Sequence, residues 1–254
     1  MADPQAALDR AFEEQNLVLL YQPIHDAESG TIVAAEALLR QRRESGEIRE
    51  AAIITSAAEE GPELFRLDSW VMRAACRDSA TWTNVRLNVN LSPREFQEGN
   101  LAGRLSSLGD LRNLNLEITE TSYIESPEET VHMLETLREL GINLWLDDFG
   151  TGHSSLEHLQ HFPLDGLKIA SQFIAECTTD RRCRTITKSV IALAHELGLQ
   201  VIAEGVEHRE QLEFLRDEGC EAVQGFLFSR PMELAQFLDN MHPAAAPDRR
   251  ERSA

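Results

Sequence analysis
The sequence predicts an α/β fold, a (β/α)8 TIM-type barrel, on three observations. About eight short apolar or alternating runs are separated by helical stretches over 254 residues, the usual size of such a barrel. A helix-stopping glycine followed by a strand recurs at Gly141, Gly198 and Gly219. Polar residues collect at the C-terminal ends of the runs, the end where barrels of this type keep their active face. An open doubly wound sheet is the alternative, but no GxGxxG fingerprint supports it.

The elements follow in order. Pro4 to Gln15 has the spacing of a short amphipathic helix. Leu17 to Ile24 is an apolar strand, Asp26 to Gly30 a turn, and Thr31 to Leu39 a second strand carrying Glu36. Arg43 to Glu50 reads as a charged loop. Glu63 to Ala80 holds Leu64, Leu67, Val71 and Ala74 at helical spacing. Val85 to Ser92 alternates as a strand and delivers Asn88 and Asn90; Leu114 to Glu120 delivers Glu117 and Glu120. Ser126, Pro127 and Glu129 mark a capped helix start, and Gly141 its end. The strand Leu144 to Asp148 then ends in two adjacent acids, Asp147 and Asp148. A short helix (Ser155 to Gln160) leads to strand Gly166 to Ala170, which contains Lys168. Helix Arg182 to Leu197, strand Gln200 to Ala203 before Glu204, helix Arg209 to Glu218, strand Glu221 to Gln224 and helix Met232 to Asn240 complete the pattern. Residues 1–242 read as a single domain, and 243–254 as a disordered tail.

Composition narrows the function. A net charge of -19 argues against a nucleic-acid duplex or an anionic membrane as partner, because both require a basic footprint. The four cysteines form no CxxC pair or disulfide-scaffold spacing and read as reduced thiols. The N-terminus lacks the apolar run of a signal peptide and no stretch reaches transmembrane length, so a cytoplasmic location is expected.

The strand-end residues are Glu36, Asn90, Glu117, Glu120, Asp147, Asp148, Lys168, Glu204, Glu207 and Gln224. One acid at a strand end commonly caps a loop. Several converging carboxylates repel one another, by roughly 1 to 4 kcal/mol per pair at about 4 Å. Protons or divalent cations relieve that repulsion. Carboxylate and amide oxygens favour Mg²⁺ or Mn²⁺ over zinc. Two such ions about 3.5 to 4 Å apart suit in-line attack on a phosphodiester. A lysine such as Lys168 orients a water or neutralises developing charge.

The chain resembles the EAL domain family from about Leu17 to Pro231. The motifs fall in order: YQPI (Tyr21 to Ile24), EALLR (Glu36 to Arg40), NVNLSP (Asn88 to Pro93), EITE (Glu117 to Glu120), DDFGTG (Asp147 to Gly152), LKIA (Leu167 to Ala170), AEGVE (Ala203 to Glu207) and QGFLFSRP (Gln224 to Pro231). The resemblance implies a barrel whose first strand is antiparallel, and hydrolysis of cyclic di-GMP to linear pGpG by a metal-activated water. It implies metal ligation by Glu36, Asn90, Glu117, Asp147, Asp148 and Glu204, with two Mg²⁺ or Mn²⁺ ions. Lys168 would hold the attacking water, with Glu204, Glu120 and Glu207 as catalytic or supporting acids. Arg40, Gln22, Leu39 and Gln224 would contact substrate. A homodimer and a regulatory protein partner are further expectations. The alternative within the family is a weak or inactive domain that binds cyclic di-GMP or docks a protein.

The chain departs from the family pattern at four places. Gln41 stands where a tryptophan is usual, Ala51-Ala52-Ile53-Ile54 replaces a Pro-x-x-Phe-Ile segment, and His153 replaces a tyrosine. The largest departure is Ala170, where the pattern Lys-x-Asp places an acid. Residues i and i+2 of a strand share a face, so a carboxylate is missing beside Lys168 and reduced turnover is expected.

Overall fold
The computed structural model describes residues 4–13, 15–51, 64–92, 100–119, 127–151 and 156–241. The strands are β1 (Leu17–Asp26), β2 (Ile32–Arg42), β3 (Ile48–Glu50), β4 (Arg86–Asn90), β5 (Leu114–Thr119), β6 (Asn143–Phe149), β7 (Gly166–Ile169), β8 (Gln200–Ala203) and β9 (Ala222–Val223). The helices are α1 (Pro4–Glu13), α2 (Leu64–Ser79), α3 (Leu101–Ser106), α4 (Pro127–Glu139), α5 (Leu156–His161), α6 (Ser171–Ala175), α7 (Arg181–Glu196), α8 (Arg209–Asp217) and α9 (Leu234–Met241).

Hydrogen bonding runs in the order β1-β9-β8-β7-β6-β5-β4-β2, and β1 pairs with β2 to close the ring. This is the expected barrel. β1 is antiparallel to both neighbours, whereas β2 and β4 to β9 are mutually parallel. The turn between β1 and β2 explains the reversal. Asp26 Oδ1 accepts from Ser29 N (2.7 Å) and Ser29 Oγ (2.6 Å), tightening a hairpin far too short for a parallel crossover.

The two faces of each strand go to different cores. Leu87, Val89, Leu116, Leu144, Leu167 and Val201 point outward and join helix residues such as Leu134, Leu137, Ile191 and Leu215 in one buried cluster. The inward residues Ile24, Ala34, Trp145, Ile202 and Ala222 form a separate, smaller cluster inside the ring. Trp145 fits there because its neighbour on β7 is Gly166. A Cβ at Gly166 would lie 2.5 Å from the indole. The apolar layer fills part of the barrel interior below the acidic cluster.

Three segments differ from the sequence reading. Arg43 to Glu50 is a hairpin rather than a loop: Arg43 N donates to Glu47 O at 2.8 Å, and β3 pairs with the upper part of β2, beyond the reach of β4. Helices α3 and α6 were not anticipated; each is shorter than two turns and too brief for a periodic signal. Strand β7 ends at Ile169 rather than Ala170. Ser126, His153, residues 52–54 and the tail from Pro243 lie outside the described residues. Among the described residues no helix is long and apolar enough to cross a membrane.

Candidate functional site
Lys168 is the hub of the site. It rises from the middle of β7 and its side chain is fully buried. Its Nζ lies 2.6 Å from Glu204 Oε1, 2.8 Å from Glu117 Oε1, 3.3 Å from Asp147 Oδ1 and 3.5 Å from Glu36 Oε2. Glu36 sits midway along β2, Glu117 and Asp147 lie in the C-terminal halves of β5 and β6, and Glu204 directly follows β8. Burial alone would discharge the ammonium, but the four carboxylates outweigh it and hold Lys168 well above its usual pKa.

One ammonium cannot compensate every acid. Burial pushes Glu204 up to about 7, with Lys168 opposing and the charges of Asp147 and Glu36 adding. Burial also raises Glu117 well above the usual carboxylate range. Glu36 behaves oppositely. Burial raises it, but Lys168 and hydrogen bonds from Gln224 and Asn90 outweigh that and hold it low. Gln224 Nε2 donates to Glu36 Oε2 at 2.7 Å and Asn90 Nδ2 to Glu36 Oε1 at 3.0 Å. Gln22 Oε1 in turn accepts from Gln224 Nε2 at 3.2 Å.

Asp147 and Asp148 pose a geometric problem, because adjacent strand residues normally face opposite ways. The structure solves it with a bulge. Pairing between β6 and β7 slips between Leu146 and Phe149, and Asp148 takes the left-handed backbone conformation (φ 53°). Both side chains therefore line the cleft, and single oxygens of Asp147, Asp148 and Glu204 lie within 4.8 Å of one another. Asp is among the residues that tolerate this conformation. Gly150 follows with φ 95°, and a Cβ there would lie 2.7 Å from the Phe173 ring on α6.

The cleft above Lys168 has a volume of about 380 Å³. Its walls include Gln22, Glu36, Asp147, Asp148, Glu204, Glu207 and Gln224, all expected in the site, together with Ser171 and Phe226, which were not. Phe226 is exposed at the mouth, with the Arg230 guanidinium 4.1 Å from its ring centre. It sits within the QGFLFSRP motif, and an exposed aromatic beside a polar cleft is the signal that would have found it. Arg40 and Leu39 do not line this cleft. Leu39 packs outward against the apolar clusters, and Arg40 donates to the Leu39 carbonyl at 2.9 Å. On β2 Leu39 alternates with Glu36 and packs toward the helices. Glu120 lies outside the described residues.

The donor set fits a hard divalent cation. Among the described residues, Glu117 Oε2 and Gln224 Oε1 are buried without a hydrogen-bond partner, and Asp147 Oδ1 accepts no well-directed hydrogen bond. Orphaned buried oxygens are costly, and a cation with oxygen preference satisfies them.

A parallel barrel with one reversed strand, carrying carboxylates around a buried lysine, defines an α/β barrel protein with an acidic cluster that could hold a cation. The EAL domain family matches residues 5–231, and this chain belongs to that family. Cyclic di-GMP phosphodiesterase NbdA of Pseudomonas aeruginosa is 39% identical over 94% of this chain and 32% of its own length. Bifunctional diguanylate cyclase/cyclic di-GMP phosphodiesterase MucR of the same species is 34% identical over 91% of this chain and 35% of its own. The chain thus spans about a third of the length of these curated relatives. Among solved structures, a PaMucR phosphodiesterase in complex with c-di-GMP superposes with a TM-score of 0.86 at 33% identity, covering 92% of this chain and 99% of that one.

Proposed function
We propose that this chain hydrolyses cyclic di-GMP to linear pGpG with the help of Mg²⁺ or Mn²⁺. The observation that carries the reading is the convergence of Glu36, Glu117, Asp147 and Glu204 on Lys168, with oxygens left over for cations. The named activities of the relatives point the same way.

In this reading Glu36, Asn90, Glu117, Asp147, Asp148 and Glu204 would hold the ions, with Glu204 on the metal-water cluster. The ions supply an activated water and charge to offset that developing on the phosphate oxygens. Lys168 donates to that water and fixes its approach. Gln224 and Gln22 orient groups at the cleft wall, where they are already joined to Glu36. Glu207 supports the β8 loop, and Phe226 offers an aromatic face to a purine. Arg40 would turn from the Leu39 carbonyl, to which it donates here, to contact phosphate.

The test is direct. Purified chain, cyclic di-GMP and Mn²⁺ are expected to yield pGpG, resolved by chromatography. Glu36→Ala removes a ligand and an acceptor for Gln224 and Asn90, and is expected to lower the rate at least about 10²-fold. No pGpG from the parent chain would reject the enzyme reading.

Ala170 favours the alternative, a receptor with little turnover. It is buried just before α6, with no side chain to cap that helix. We expect Ala170→Asp to raise the rate, by about tenfold if an acid there orders Lys168 or water. An unchanged rate would show that this carboxylate is dispensable.

A further inference from the structure
A buried polar chain crosses the barrel interior beside the apolar layer and ends on Glu117. Arg86 Nη1 donates to Asn115 Oδ1 (3.3 Å), Asn115 Nδ2 to Asn88 Oδ1 (2.8 Å), and Asn88 Nδ2 to Glu117 Oε1 (2.7 Å). Strands β4 and β5 set it up: their register places Asn88 beside Asn115 and Asn90 beside Glu117. Alternation turns all of these residues inward, away from Leu87, Val89, Leu114 and Leu116. Asn88 is 0% and Asn115 2% exposed.

The chain has one permitted direction. A guanidinium only donates, and Glu117 Oε1, which faces the Lys168 ammonium at 2.8 Å, accepts. Arg86 therefore claims Asn115 Oδ1, which leaves Asn115 to donate and Asn88 to accept on one end and donate on the other. Reversing Asn88 would set two acceptors face to face at Glu117; reversing Asn115 would set two acceptors together at Asn88 and two donors together at Arg86. The consequence falls on the carboxylate. Oε1 accepts from Asn88 and pairs with the Lys168 ammonium at 2.8 Å, while Oε2 is buried with no hydrogen-bond partner among the described residues.

We infer that Asn88 and Asn115 are positioning residues that commit one oxygen of Glu117 to the protein and leave the other as a single, fixed cation donor. Neither touches a reacting atom; both act through Glu117. The inference rests on Glu117 being a metal ligand as proposed above. Partners that orient a metal-binding carboxylate typically set affinity by 10- to 100-fold.

The test compares the chelator-treated full chain with Asn88→Leu and with Asn88→Leu/Asn115→Leu. The double variant replaces both amides by apolar groups of similar size, which keeps the fold comparable even if the single variant is unstable. Melting curves establish folding, and calorimetric titration with MnCl₂ gives affinity without reference to turnover. A folded variant with Mn²⁺ affinity weakened about 10- to 100-fold is the expected result. Folded variants that bind Mn²⁺ within about twofold of the parent overturn the inference, and any loss of stability is then packing alone. If the parent chain binds no Mn²⁺, the metal reading of Glu117 fails first.

Discussion

Lys168→Met is expected to abolish turnover of cyclic di-GMP and to lower the stability of the metal-free chain in one step. The ammonium is fully buried and faces four carboxylates at 2.6 to 3.5 Å. Removing one partner of a buried ionic cluster leaves charge uncompensated, which costs about 3 to 5 kcal/mol. For a domain of this size that is a drop in melting temperature on the order of 10 °C. The two effects separate on adding Mn²⁺. Cations placed among the acids replace the missing positive charge, so stability is expected to recover. The rate is not, because a thioether cannot donate to the attacking water; a deficit of about 10²- to 10³-fold should remain. A metal-loaded Lys168→Met chain that retains turnover within about tenfold of the parent would remove Lys168 from the chemistry.

Metal-induced stabilisation is expected to grow with pH. The sign follows from Glu204. Its folded pKa is raised from 4.5 to about 7, so between those values the metal-free folded chain holds a proton that the unfolded chain has lost. That group's contribution to stability is complete below about 4.5 and is lost as pH rises through about 7. Glu117 and Asp148, also raised by burial, act in the same direction; Glu36, held low, acts against it. Cations bind the deprotonated acids, so at pH 5.5 they must displace protons and at pH 8 they need not. Mn²⁺ at about a hundred times its dissociation constant contributes about 2.7 kcal/mol. The rise in melting temperature at pH 8 should therefore be about 5 to 10 °C. It should shrink at pH 5.5, and Glu204→Gln should flatten the difference. An equal rise at both pH values would mean that protons and cations do not compete for these acids.

Much of the architecture was legible because the chain announces its parities and stops. Glycines 141, 198 and 219 end α4, α7 and α8, and each adopts positive φ. The Asp26 to Gly30 turn separated β1 from β2, and that brevity alone requires antiparallel pairing. Short elements escaped. Ile48 to Glu50 is three residues of mixed character, and its strand state comes from an edge of β2 left unpaired above β4. The list of acids at the strand ends was also readable, but their meeting point was not. Lys168 could be assigned to a strand; that four strands aim acids at its Nζ depends on barrel closure and stagger. Motif membership says nothing about which face of β2 Leu39 occupies; strand alternation turns it toward the apolar clusters. Asn115 had a visible signal, a polar residue at an inward position of an otherwise apolar alternation, but its neighbour Asn88 is brought to it only by register.

The bulge at Asp148 has an evolutionary side. Leu146 and Phe149 point outward and Asp147 inward, so without Asp148 the run would alternate without interruption. The second acid of the pair is thus equivalent to a one-residue insertion in a regular strand, accommodated by a single left-handed backbone step. Gain or loss of one codon at this point would convert between a rim with one aspartate and a rim with two, while every outward side chain of β6 keeps its place.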